Sequence, residues 1–233
     1  MNRIDISFFV PCFNEEGNIE STLNTIIASV GKLNYEILVV DDGSKDATLE
    51  IIKNWKKKNS NINVKLISDG VNKGLGYRYF EVAKVALGDN YMLINGDNVE
   101  PTEQIVAILE HINKYEIVIP YYANDPRIKL RKSISKTFTL ILNLISGLSI
   151  QYYNGAVLHK TEAVRQWRYP SKGYGYQAEF LIKELLKRKS FIQVQSFNID
   201  RKWGKTKAFK LNNIISVSIT FLKVILIKFR ILK

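Results

Sequence analysis

Four polar clusters punctuate the first hundred residues, and each follows a short apolar run. Val10-Pro11-Cys12-Phe13-Asn14-Glu15-Glu16 combines a proline that fixes the exit angle of the chain with a ring that can lie against a base. Glu15 can accept a hydrogen bond from a base or a ribose. The plain alternative is a turn in which Asn14 or Glu15 caps a helix. Val39-Val40-Asp41-Asp42-Gly43-Ser44-Lys45-Asp46 sets two carboxylates side by side before a glycine, a grouping able to bind base, ribose and, indirectly, a metal. A turn capped by Ser44 or Asp46 is the competing reading. It fits less easily, because adjacent like charges at the end of a buried strand are costly without partners. Asn72-Lys73-Gly74-Leu75-Gly76 offers close backbone approach and a cation for a phosphate. Leu93-Ile94-Asn95-Gly96-Asp97-Asn98 offers Asp97 as a hard oxygen ligand and Asn95 as a weaker, neutral one. Magnesium beside a diphosphate typically takes only one or two protein carboxylates. An Asn-Gly turn is the alternative there.

These clusters need a scaffold that brings them together, and the periodicity supplies one. Ile4–Val10, Tyr35–Val40, Asn63–Ile67, Tyr91–Ile94 and Glu116–Ile119 are apolar runs that predict strands buried on both faces. Between them Ile19, Leu23, Ile26, Ile27 and Val30 recur at helical spacing, and 46–58, 74–87 and 101–113 also predict helices. A βαβα series implies a mainly parallel sheet with right-handed crossovers, in which ligands bind beyond the carboxyl ends of the strands. All four clusters fall at those ends. Further on, the pattern predicts helices at 128–145, 176–187 and from 211, and strands at 151–159 and 191–199.

Net charge is +12, and 13 Lys and Arg against 2 acids lie between Lys183 and Lys233. Such an end can face nucleic acid, anionic lipid or a phosphorylated substrate, or simply solvent. The basic residues are interleaved with a long apolar helix and not with a nucleic-acid reading motif, which argues against nucleic acid. In 211–233 the charges at Lys223, Lys228 and Arg230 interrupt any run near the ~20 apolar residues a spanning helix needs, so an interfacial helix is expected. Packing on the domain or a homo-oligomer seam is the alternative. The expected organisation is an α/β domain at 1–210 followed by an amphipathic, membrane-associating helix at 211–233. A single cysteine, Cys12, excludes an intramolecular disulfide, and Asp5 breaks what would otherwise be a signal core. The expected location is cytoplasmic, peripheral on the inner face of a membrane.

The four clusters, in this order, resemble family 2 glycosyltransferases of the Rossmann-like GT-A fold, and within them the polyprenyl-phosphate glycosyltransferases. The similarity continues in Arg131 and Ser135, in Tyr153-Asn154-Gly155-Ala156, in 171–179 and in Asp200-Arg201-Lys202-Trp203-Gly204-Lys205-Thr206-Lys207. The resemblance implies a GDP- or UDP-sugar donor held by Pro11, Phe13, Asn14, Glu15, Asp41, Asp42, Ser44, Asn72, Lys73, Asn95 and Gly96. It implies Mg²⁺ or Mn²⁺ on Asp97 and Asn95, and a polyprenyl-phosphate acceptor positioned by Arg131, Ser135 and Arg201. Lys73 or Arg201 would help neutralise the leaving diphosphate. A hydroxyl acceptor would instead need a carboxylate base, for which Glu179 is the first candidate. Three departures stand out. The family's Asp-x-Asp reads Asn95-Gly96-Asp97, a Gln expected two residues later is Val99, and an arginine after the fifth strand is replaced in Tyr121-Tyr122-Ala123 unless Arg127 reaches the same space. Weaker metal binding or a shifted donor preference is the expected result.

Overall fold

The computed structural model describes residues 3–123, 129–168, 173, 175–197, 211–229 and 231, of which 211–217 are described by their backbone. Apolar runs enter the sheet where the sequence places them. Strands β1 (Ile6–Cys12), β2 (Tyr35–Asp41), β3 (Val64–Ser68) and β4 (Asn90–Leu93) alternate with helices α1 (Ile19–Ser29), α2 (Thr48–Lys58) and α3 (Leu75–Ala83). Helix α4 (Thr102–Leu109) leads to β5 (Ile117–Tyr122), and α5 (Lys129–Ser146) to the short β6 (Leu158–Lys160). Then come α6 (Thr161–Arg165), α7 (Tyr176–Leu186), β7 (Phe191–Ser196) and α8 (Leu211–Lys228).

The seven strands form one sheet in the order β3-β2-β1-β4-β6-β5-β7. Pairs β1–β2, β1–β4, β2–β3 and β5–β7 are parallel, while β6 runs antiparallel to both β4 and β5. The mainly parallel sheet flanked by helices agrees with the expected fold class. The strand expected over 151–159 shrinks to three residues. The reason is visible in the preceding loop, where Tyr153 turns its ring into the core and its hydroxyl donates to Asn143 Oδ1 at 2.7 Å. Helix α6 is too short to show a helical period and was not expected.

Side chains alternate across a strand, and β1 shows it plainly. Phe8 packs with Leu23, Ile26, Ile52, Trp55 and Ile105 under α1, α2 and α4. Phe9 packs on the other face among Tyr79, Phe80, Tyr91, Tyr176 and Phe180, under α3 and α7. A third cluster, including Leu142, Tyr153, Leu181, Leu185 and Val224, joins α5, α7 and α8. Helix α8 therefore does not stand apart from the body. Thr220, Val224 and Ile227 are buried, while Ile219, Leu222, Ile225 and Phe229 face out. Among the described residues no helix is long and apolar enough to cross a membrane.

Candidate active site

Strands β2, β1 and β4 are adjacent and parallel, so the loops at their carboxyl ends share one edge. Hydrogen bonds stitch the first two loops together. Asn14, held at a positive φ of 59°, receives Lys45 N–H on Oδ1 at 2.8 Å, and its own N–H donates to Ser44 Oγ at 3.0 Å. Glu15 N–H donates to Thr48 Oγ1, Ala47 N–H to Glu16 Oε2, and Asn18 Nδ2 to Glu15 Oε2. The β4–α4 loop closes on the same edge. Gly96 N–H donates to Pro11 O at 3.1 Å, and a Cβ at Gly96 would stand 2.8 Å from Pro11 O. Glycine is the residue that permits this approach.

The paired carboxylates are buried, and protein groups compensate both. Asp41 accepts from Ser44 N–H at 3.2 Å and Ser68 Oγ at 3.1 Å. Asp42 accepts from Lys73 N–H and Gly74 N–H, both at 2.9 Å, and from Arg78 Nε at 2.7 Å. Arg78, only 1% exposed, also reaches Asp69 at 2.5 Å, Glu81 at 2.7 Å and the Val71 carbonyl at 2.9 Å. This guanidinium, with Lys73, holds the Asp69 carboxyl well below the usual carboxylate range. Sequence reasoning missed Arg78. The available signal was a lone cation among aromatics in Tyr77-Arg78-Tyr79-Phe80. Lys73, expected to face a phosphate, lies 2.6 Å from Asp69 and 3.4 Å from Glu81. A diphosphate at that point would have to compete with them. Asn72 sits in the same loop, its N–H 3.0 Å from where a Gly43 Cβ would be.

At the end of β4, Asp97 is buried beside a second acid that the sequence reading did not single out. Glu100, 3% exposed, accepts from Asn95 N–H at 3.2 Å and Asn95 Nδ2 at 2.7 Å. Burial first, and then the Asp97 carboxylate, push the Glu100 carboxyl up to about 8. Buried acids crowded in this way suit a divalent cation, which would relieve their repulsion. The donor set fits a hard cation: the Asp97 carboxylate and the Asn95 amide oxygen, with the Glu100 carboxyl behind them. Among the described residues no cage of three or more His, Cys, Asp or Glu is arranged to hold a metal by itself. Ligands from a bound diphosphate would complete the coordination.

The remaining candidates lie elsewhere. Arg131 and Ser135 are half-buried and one turn apart on α5, hence on neighbouring positions of one face. The loop at 153–156 is pinned nearby: Gln177 Nε2 donates to Gly155 O at 3.0 Å, and a Cβ at Gly155 would meet Pro120 Cγ at 2.9 Å. Glu179, the candidate base, is enclosed by packing. It is fully buried between α7 and α8, accepts from Thr220 Oγ1 at 2.9 Å and lies 3.6 Å from Lys223 Nζ. Arg201, Trp203, the rest of 200–207, Arg127, Ser171, Lys172 and Tyr174 lie outside the described residues.

The family model "Glycosyl transferase family 2" matches residues 7–169. The chain belongs to glycosyl transferase family 2. It is 28% identical over 164 residues to an undecaprenyl-phosphate 4-deoxy-4-formamido-L-arabinose transferase of Aeromonas hydrophila, covering 66% of this chain and 48% of the relative. It is 35% identical over 107 residues to a dolichol-phosphate mannosyltransferase of Pyrococcus furiosus, covering 46% of this chain and 30% of the relative. A poly-beta-1,6-N-acetyl-D-glucosamine synthase of Staphylococcus epidermidis is 31% identical over 129 residues, covering 55% and 30%. The family 2 chain thus spans about half or less of the length of these relatives. Among solved structures, glucosyl-3-phosphoglycerate synthase from Mycobacterium tuberculosis, crystallised with Mn²⁺ and UDP, superposes with a TM-score of 0.69 at 19% identity. That match covers 97% of this chain and 80% of the other. It shows that the fold is shared.

Proposed function

We propose that this family 2 glycosyltransferase moves a sugar, with inversion, from a GDP- or UDP-sugar to a polyprenyl phosphate at a membrane surface. Two of the relatives carry polyprenyl-phosphate transfer in their names. The observation that carries the choice of acceptor is the burial of Glu179 against Thr220 and Lys223. A sugar hydroxyl needs a base. A phosphate monoester, with a second pKa near ~6, is already an anion at neutral pH and needs only positioning. Arg131 and Ser135 suit that task, since a guanidinium makes paired contacts to phosphate oxygens.

On the donor side, the loops of Pro11–Glu15 and Asp41–Ser44 would hold the nucleoside, and Asp97 with the Asn95 carbonyl would hold Mg²⁺ or Mn²⁺. The cation supplies neutralisation of the charge that develops on the departing diphosphate. Positive charge from Lys73 would add to it once Asp69 and Glu81 are displaced. The outward apolar face of α8, with the basic residues of the last fifth of the chain, would lie on anionic lipid. Residues 1–210 would then form the transferase and 211–233 its membrane contact, on the cytoplasmic side.

The similarity to a polysaccharide synthase favours one other reading, a hydroxyl acceptor. Incubation with radiolabelled UDP- and GDP-sugars and a bare polyprenyl phosphate separates the two. A chelator-sensitive, lipid-extractable sugar phosphate is expected. Transfer to a glycan with none to the lipid phosphate would overturn the proposal.

A further inference from the structure

Asn95 stands where an acid would be expected, and a buried acid lies directly beside it. Glu100 brings a carboxylate to within 2.7 Å of the Asn95 side chain. The geometry of the contact matters more than the charge. A side-chain amide has one end that donates and one that can ligate a cation. Glu100 takes the donating end through Oε1 and the backbone N–H of the same residue through Oε2. The end of Asn95 left for a cation is its carbonyl oxygen. Glu100 itself is buried, and the chain reverses into Pro101 and α4 immediately after it, so its carboxylate is held in place.

We propose that Glu100 is a positioning residue of the cation site, which fixes the Asn95 amide with its oxygen outward. The inference rests on the donor-site reading above and concerns how this chain builds that site with an uncharged residue. Groups behind a metal ligand commonly orient it in this way. The competing role is structural: an acid just before α4 would interact favourably with the helix N-terminus whatever occupies position 95.

A double-mutant cycle on the full chain distinguishes the two roles. Mn²⁺ affinity is measured by the free-ion electron paramagnetic resonance signal, with saturating UDP in one arm and GDP in the other. Thermal unfolding without metal checks each variant's fold. Glu100→Ala should weaken Mn²⁺ binding by about 10- to 100-fold when residue 95 is Asn. In the Asn95→Asp background the same change should cost less than about threefold, because a carboxylate presents an oxygen in either orientation. Glu100→Gln, whose oxygen can still accept from Asn95, should retain more affinity than Glu100→Ala. Equal losses in both backgrounds, or no loss in either, would overturn the proposal and leave Glu100 a helix-terminal acid. Absence of Mn²⁺ binding by the unmodified chain in both arms would overturn the donor-site reading itself, and this inference with it.

Discussion

Arg78 Nε stands 2.7 Å from Asp42 Oδ1 with both side chains withdrawn from solvent. The second carboxylate of the Asp-Asp pair is thereby fixed from α3, a helix one strand further along the chain. The same oxygen and its partner receive the Lys73 and Gly74 amides. One ion pair therefore locks the β2–α2 and β3–α3 loops to each other.

Removing one partner of a buried pair leaves an uncompensated charge. Arg78→Met should lower unfolding free energy by about 3–5 kcal/mol. Urea titration at neutral pH checks this. A loss under about 1 kcal/mol would place the pair with ordinary surface ion pairs.

Gly96→Ala tests the seat of the β4–α4 loop. Its Cβ would sit 2.8 Å from Pro11 O and 3.0 Å from Cys12 Cβ. Backbone must shift, which should destabilise the fold by about 1–3 kcal/mol. Asp97 moves with the loop, so Mn²⁺-dependent nucleotide binding should fall about tenfold, a change of about 1.4 kcal/mol. Urea titration reads the first and calorimetric titration the second.

Glu179→Gln separates a helix-packing acid from a base. Glutamine can still accept from Thr220, so turnover should stay within about threefold of the parent. Loss of a general base would cost about 10²- to 10⁴-fold. Steady-state kinetics with the lipid phosphate acceptor decides.

His159 predicts an acid sensitivity of the fold. Burial drives its imidazole down to about 3, and its Nδ1 has no hydrogen-bond partner among the described residues. The folded chain keeps it neutral, while the unfolded chain takes up a proton below the ordinary value of 6.5. This contribution is therefore complete above that value and is lost as pH falls towards the folded value. The slope should reach about 1.4 kcal/mol per pH unit. His159→Leu should remove one proton's worth of slope between pH ~6 and ~4 in urea titrations. An unchanged slope would refute the assignment.

The outer face of α8 gives the last prediction. Leu222 and Phe229 are 58% and 69% exposed. Burying such side chains contributes about 1.5–3 kcal/mol each, so changing both to Glu should lower affinity for anionic vesicles at least about tenfold. Vesicle co-sedimentation measures it, and equal binding would assign the face to another partner.

Strand order along the first half, and the loops that share an edge, were legible because period and composition agree in β1, β2 and β4. The polar clusters were legible as clusters. Their internal assignments were not, since Asp42 and Glu179 have partners 31 or more residues away, and Lys73 turns back to Asp69 in its own loop. Asp42 was read as facing a ligand, and nothing in Tyr77-Arg78-Tyr79 announces which carboxylates that cation will meet. Glu100 escaped notice because an acid before a proline at a helix start already has an ordinary explanation. In the sequence Lys223 is a charge that interrupts an apolar helix, and only packing reveals that Thr220 and Lys223 face Glu179.

Among the described residues, the antiparallel strand β6 is the only link in the sheet between its two parallel blocks. Three residues, Leu158–Lys160, join a parallel block ending in Asn95 and Asp97 to a second block whose helices carry Arg131, Ser135 and Gln177. On the proposed function, the groups that would hold the donor and those that would hold the acceptor lie on either side of this short strand, so a disturbance of Leu158–Lys160 would be felt by both at once.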